Sequence, residues 1–173
     1  MARELGARLA NDGVELVYGG GEVGLMGEVA DACLAGGGRV VGVIPAGLFS
    51  REVAHRGVTE LHEVESMHDR KQLMYVRSDG FLALPGGYGT LEELAEVTTW
   101  SQLGLHAKPV VLLDALGFWR GLIDQLDHMV VEGFLRPENR GLVRRAESVD
   151  EALARLTEPV PVQGEKCIGP EER

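Results

Sequence analysis

The side chains with the most chemistry to offer lie in two segments. One is Pro85-Gly86-Gly87-Tyr88-Gly89-Thr90-Leu91-Glu92-Glu93, which follows a short apolar run and opens the most regular helical pattern in the chain. Three glycines, a hydroxyl and the open N–H groups of a helix start make a cradle for an anion. Glu93 has two readings. Thr90 and Glu93 have the spacing of a capping box, in which the carboxylate merely satisfies a backbone N–H, and spacing alone favours that cap. Against it, a carboxylate beside a phosphate cradle is where an enzyme acting near a ribose would place one.

The other segment is Ser66-Met67-His68-Asp69-Arg70-Lys71. Ser66 and Asp69 have the pattern of a helix cap, which puts Arg70 and Lys71 in or near the first turn. The helix dipole disfavours cations there, by a few tenths of a kcal/mol on a solvated face. Either the pair is solvated, or both cations face an anion shared with the glycine loop; the residues alone leave the two level. A third segment, Gly19-Gly20-Gly21-Glu22-Val23-Gly24, matches GxGxxG between a strand and a helix. A dinucleotide site also wants an acid about 20 positions on, at the end of the next strand. That strand ends in Ile44-Pro45-Ala46-Gly47, with no acid, so NAD loses most of its support. A tight strand-to-helix turn and a ligand contact remain equally good accounts of these glycines.

These segments need a frame, and the chain supplies an alternating one. Helical spacing over residues 2–12 is followed by the strand ELVYGGG and the helix LMGEVADACLAGG. Then come the strands RVVGVIP and VTELHEV, the helix SMHDRKQLMYVRSD, the strand GFLALP and the helix TLEELAEVTTWSQLGL. The strand KPVVLLD, the helix FWRGLIDQLDHMVVEGF and a short helix from Val149 to Leu156 complete it. Such alternation predicts an α/β protein whose parallel strands are joined by crossover helices. Ligands in such folds bind beyond the carboxyl ends of the strands. One domain over residues 1–157 and a loose tail over 158–173 are expected.

Composition removes several classes of function. The 173 residues carry a net charge of −10, and no Lys/Arg run is present to hold a nucleic-acid backbone. No apolar window approaches a membrane span and the start lacks a signal-peptide pattern, which predicts a soluble, cytoplasmic protein. Cys33 and Cys167 lack metal or redox spacing, as do the five histidines, so neither metal nor cofactor is expected. His55, His62, His68, His106 and His128 read as surface or packing residues. Trp100 and Trp119 read as core or dimer contacts.

LVYGGGEVGLMGEVADA, MHDRK, PGGYGTLEE and TWSQLGLHAKPV, taken together, resemble the LOG (Lonely Guy) family. These are cytokinin riboside 5′-monophosphate phosphoribohydrolases, long labelled lysine decarboxylases. The likeness runs from about Leu5 to about Pro137, and the paired PGGxGTxxE and Arg-Lys signatures are specific. It implies a Rossmann-like, doubly wound parallel sheet with helices on both faces, and a homodimer. It also implies hydrolysis of the N-glycosidic bond of a nucleoside 5′-monophosphate to a free adenine-type base and ribose 5-phosphate.

Carried over by motif, Arg70 and Glu93 match the catalytic pair, and Lys71, Gly86, Gly87, Gly89 and Thr90 match ligand contacts. Glu52, in SREV, matches a glutamate that touches substrate, and Thr99, before Trp100, matches another contact. By themselves Glu52 reads as a solvated loop acid and Thr99 as an ordinary helix residue. Family members usually begin with a strand ending in a Gly-Ser loop. Here the chain opens on the helix, so that first strand is expected to be missing, through a misassigned start or a truncated form. The rival function is a non-catalytic nucleotide or molybdenum-cofactor carrier on the same scaffold, which does not need Glu93 to act. A lysine decarboxylase is weakest, since no lysine has a recognisable pyridoxal-phosphate context.

Overall fold

Val40-Val41-Gly42-Val43-Ile44-Pro45 has no polar side chain, a run suited to a strand covered on both faces. In the computed structural model, which describes residues 1–47 and 54–160, this run forms β2 (Val40–Pro45), buried along its whole length. It pairs in parallel with β1 (Leu16–Tyr18) on one side and β3 (Glu60–Val64) on the other. Around this sheet stand α1 (Ala2–Asn11), α2 (Gly24–Ala35) and α3 (Met67–Arg77). Leu5 and Leu9 of α1 are buried, as their helical spacing requires. Small residues bring α1 and α2 together: a Cβ on Gly6 would lie 2.3 Å from the Val29 carbonyl oxygen.

The chain divides after Ser78 into two compact units, and the second has a sheet of its own. Its centre is β5 (Val110–Leu113), fully buried, with β4 (Phe81–Ala83) and β6 (Val143–Ala146) parallel on either side. The helices are α4 (Tyr88–Gln102), α5 (Arg120–Val131), α6 (Pro137–Arg140) and α7 (Val149–Thr157). Leu94, Val97, Val110, Leu112, Trp119 and Val143 form a core cluster, with Leu122, Ile123 and Leu126 of α5 packed against it. Burying each such side chain contributes about 1.5–3 kcal/mol. Among the described residues no helix is long and apolar enough to cross a membrane.

Parallel strands with helical crossovers are the Rossmann-like α/β arrangement read from the alternation, present as two three-stranded sheets. Three details differ from that reading. The short helix α6 was not foreseen, its four residues being too few to show a helical period. Strand β6 was not foreseen, because Val-Arg-Arg-Ala has no apolar run; it is an edge strand, where charged side chains are normal. Helix α4 begins at Tyr88 instead of Thr90, with Gly87 as its N-cap. Beyond α7, the carbonyls of Glu158 and Pro159 are gripped by Arg144 at 3.0 and 2.6 Å.

Candidate active site

In the first unit the glycine loop leaves β1 at its carboxyl end. Gly20 and Gly24 have φ of +76° and +66°, which other residues rarely adopt. Gly27 lets the start of α2 close onto the loop, since a Cβ there would lie 1.8 Å from the Glu22 carbonyl oxygen. The tight-turn account of these glycines therefore has direct geometric support. Gly19 serves differently. The Arg70 guanidinium fills the space its side chain would take, with Nη2 1.7 Å from the Cβ position and donating to the Gly19 carbonyl at 3.2 Å.

Arg70 reaches that place from the first turn and a half of α3. The cap read from Ser66 and Asp69 is formed: Ser66 Oγ accepts the Asp69 N–H at 3.1 Å. This fixes the helix start and turns Arg70 inward, where only 8% of its surface is exposed. Lys71, its neighbour, is half-buried. The structure thus separates a pair that spacing could not: Arg70 is not a solvated surface cation. Tyr18, the last residue of β1, is buried, and its hydroxyl has no hydrogen-bond partner among the described residues. Burial, reinforced by the charges of Asp31 and Glu22, raises its pKa and keeps the phenol neutral.

In the second unit the loop after β4 carries Gly86, Gly87, Gly89 and Thr90 into the first turn of α4. Gly87 is the N-cap and no side chain caps it, so the Tyr88, Gly89 and Thr90 N–H groups have no partner within the helix, an arrangement that suits an anion. Thr90 lies inside the first turn, and a Cβ on Gly86 would fall 2.1 Å from its hydroxyl oxygen. The Thr90–Glu93 capping box is therefore not formed, and the cap favoured for Glu93 on spacing is corrected. Glu93 stands in the second turn, half-buried, beside the buried stripe of Leu94, Val97 and Ser101. Tyr88, 92% exposed, marks the outer side of the loop.

The remaining candidates are spread. Thr99 is exposed, and six residues beyond Glu93 it sits about 9 Å further along the helix and 120° away in rotation. The structure does not bring it to the Glu93 face; Trp100, seven positions on, shares that stripe. Glu52 lies outside the described residues.

Two polar networks at the carboxyl ends of the strands were not legible beforehand. His55, read as surface or packing, is buried, and its Nε2 lies 2.8 Å from Asp31 Oδ1. Asp114, just past β5, accepts from the Trp119 N–H at 2.8 Å and from Arg145 Nε at 2.6 Å. Burial opposes the Asp114 charge, but these two donors and the Arg145 charge prevail and hold the carboxyl below its ordinary range. The signal for Asp114 was its place at the end of an apolar strand. Asp31 and His55 carried none, being 24 positions apart.

A protein-family model described as "Possible lysine decarboxylase" matches residues 26–156. The probable cytokinin riboside 5′-monophosphate phosphoribohydrolase LOGL9 of Oryza sativa subsp. japonica is 52% identical, over 93% of this chain and 71% of that protein. LOG1 of Arabidopsis thaliana, a cytokinin riboside 5′-monophosphate phosphoribohydrolase, is 48% identical over 92% and 75% of the two. A protein of that same name from Rhodococcoides fascians is 48% identical over 92% and 81%. Among solved structures, the molybdenum cofactor carrier protein of Chlamydomonas reinhardtii superposes with a TM-score of 0.64 at 26% identity, covering 89% of this chain and 82% of that one. The structural-genomics target TM1055 gives 0.66 at 25% identity, covering 88% and 83%.

Proposed function

Because the chain belongs to the LOG family of cytokinin riboside 5′-monophosphate phosphoribohydrolases, we propose that it hydrolyses the N-glycosidic bond of adenine-type riboside 5′-monophosphates. The products are a free base and ribose 5-phosphate. The observation that carries the reading is Glu93 placed one turn beyond a glycine-rich helix start whose N-cap, Gly87, has no side-chain cap.

Breaking a ribosyl C–N bond develops positive charge on the sugar, as in glycoside hydrolysis, and a nearby carboxylate stabilises it. Glu93 does this and orients or deprotonates the attacking water. The N–H groups opening α4, with Gly86, Gly87, Gly89 and Thr90, hold the phosphate. Binding that remote group positions the ribose for reaction. Arg70 is the second catalytic residue and Lys71 a ligand cation; the family resemblance is what supports Glu52 and Thr99 as further substrate contacts, Thr99 from another face of α4 than Glu93. The resemblance supports a homodimer, and the acidic composition suits a cytoplasmic setting. No cofactor or metal enters this reaction, and no lysine here has a recognisable pyridoxal-phosphate context.

The test is chromatographic. Incubated with AMP and with N6-isopentenyladenosine 5′-monophosphate, the protein releases free base from at least one. Glu93→Gln reduces release by about 100- to 10,000-fold, the usual worth of a general acid or base, while nucleotide binding measured by calorimetry persists. Loss of binding as well, with the fold intact, would make Glu93 a ligand contact. A wild-type protein that binds nucleotide but never releases base would instead be a carrier, as the Chlamydomonas neighbour is named.

A further inference from the structure

Resting on the reading of Arg70 as a catalytic residue, we propose that His55, held by Asp31, is a positioning residue that sets the Arg70 guanidinium by clamping the glycine loop. The chain of contacts lies within the first unit. The Gly57 N–H donates to His55 Nδ1 at 3.2 Å, so that nitrogen is the acceptor and Nε2 carries the proton. Nε2–H then donates to Asp31 Oδ1 on α2 at 2.8 Å. The ring is thereby fixed at both ends while its residue is 94% buried, at a relative exposure of 6%.

With its ring pinned, the His55 backbone N–H donates to the Gly20 carbonyl at 2.9 Å. The residue before it, Ala54, forms an antiparallel bridge with Gly21. Gly20 itself stands at φ +76°, a conformation that a free loop of three glycines holds only as one of many. The peptide preceding Gly20 is the one whose carbonyl, on Gly19, receives Arg70 Nη2. Hence His55 reaches Arg70 in two steps: it restrains Gly20, and Gly20 sets the direction of the Gly19 carbonyl. Asp31 anchors the ring from α2, and its side chain is 69% exposed, so it is replaceable without opening the core.

The bond from Nε2–H needs an acceptor on residue 31 and not a charge, so Asp31→Asn, which keeps an oxygen there, preserves the clamp. Asp31→Ala removes it. Base release, from whichever of AMP and N6-isopentenyladenosine 5′-monophosphate the wild type cleaves faster, is measured as kcat and KM for wild type, D31A, D31N, H55A, R70K and H55A/R70K, alongside thermal unfolding. We expect kcat to fall about 10- to 100-fold in D31A and H55A, the cost of a catalytic group misplaced by an ångström or less. D31N should stay close to wild type, and H55A should add nothing in the R70K background.

Losses in H55A and R70K that multiply, or a D31N as impaired as D31A, would overturn the proposal. So would unchanged kcat in D31A and H55A with an active wild type, which leaves the function itself standing. Hydrogen exchange of peptides covering residues 19–24 reads the clamp without catalysis, and so tests the proposal even if wild type releases no base. D31A should speed exchange there relative to residues 40–45 and D31N should not; equal exchange in D31A and wild type refutes the clamp.

Discussion

Gly19→Ala separates the placement of Arg70 from the stability of the fold. Gly19 is absent from the glycines with positive φ, so an alanine backbone fits there without strain. Its Cβ would meet Arg70 Nη2 at 1.7 Å, Cζ at 2.9 Å and Nε at 3.3 Å. All three atoms belong to the far end of a flexible side chain, so the guanidinium yields and the sheet does not. To regain the 3.4 Å of ordinary contact from 1.7 Å, Nη2 must retreat by half of that separation and abandon the Gly19 carbonyl.

A catalytic group moved by about 1 Å costs on the order of 100-fold in rate. The hydrogen bond lost to the fold is worth about 1 kcal/mol net, since the displaced cation is rehydrated. G19A is therefore expected to lose about two orders of magnitude in kcat for base release while unfolding in urea only slightly earlier. Gly13→Ala is the inverse control. Its φ is +69° with open space around it, so it should cost about 1–2 kcal/mol of stability and leave kcat alone. A G19A protein whose kcat stays within about threefold of wild type, under 1 kcal/mol in the barrier, would refute the placement argument.

Gly27→Ala drives a Cβ to 1.8 Å from the Glu22 carbonyl oxygen, a backbone atom with nowhere to go, and should cost about 1–3 kcal/mol or more in urea unfolding. His106 donates to the Val97 carbonyl at 2.8 Å and accepts the Lys108 N–H at 3.0 Å, a neutral ring. Burial, with Lys108 adding to it and the Val97 bond opposing, lowers its pKa. The unfolded chain then binds the extra proton, so stability should decline as pH falls below about 6.5 toward the depressed folded value. His106→Gln should remove that part of the pH dependence, followed by thermal unfolding at pH steps across the window. Arg144 donates to the carbonyls of Arg155, Glu158 and Pro159. A lysine lacks that planar fork, so Arg144→Lys should cost about 1–3 kcal/mol and speed hydrogen exchange at the end of α7.

What the sequence determined by itself is what a few consecutive residues decide. The strand–helix alternation, the buried run from Val40 to Pro45 and the Ser66 cap were all legible, because hydrophobic period and capping act within a turn or two. A tight turn at the first glycine loop was one of two legible accounts for the same reason, Gly20 and Gly24 having a backbone that other residues avoid. The local rule failed at Thr90. Its capping-box spacing was sound, but Gly87 took the cap three residues earlier, so that Tyr88, Gly89 and Thr90 all lie inside the helix. Strand β6 was missed because its two arginines hide the pattern that an edge strand does not need.

Tertiary structure alone decided what the charged groups do. Arg70 is inward-facing because its acceptor on Gly19 lies 51 positions away, and no window of sequence holds both. His55 meets Asp31 of α2 across 24 positions, and Arg145 of β6 meets Asp114, just past β5, across 31. A side chain's hydrogen-bonding type is written in the sequence, whereas its partner depends on which loops the sheet registers place side by side.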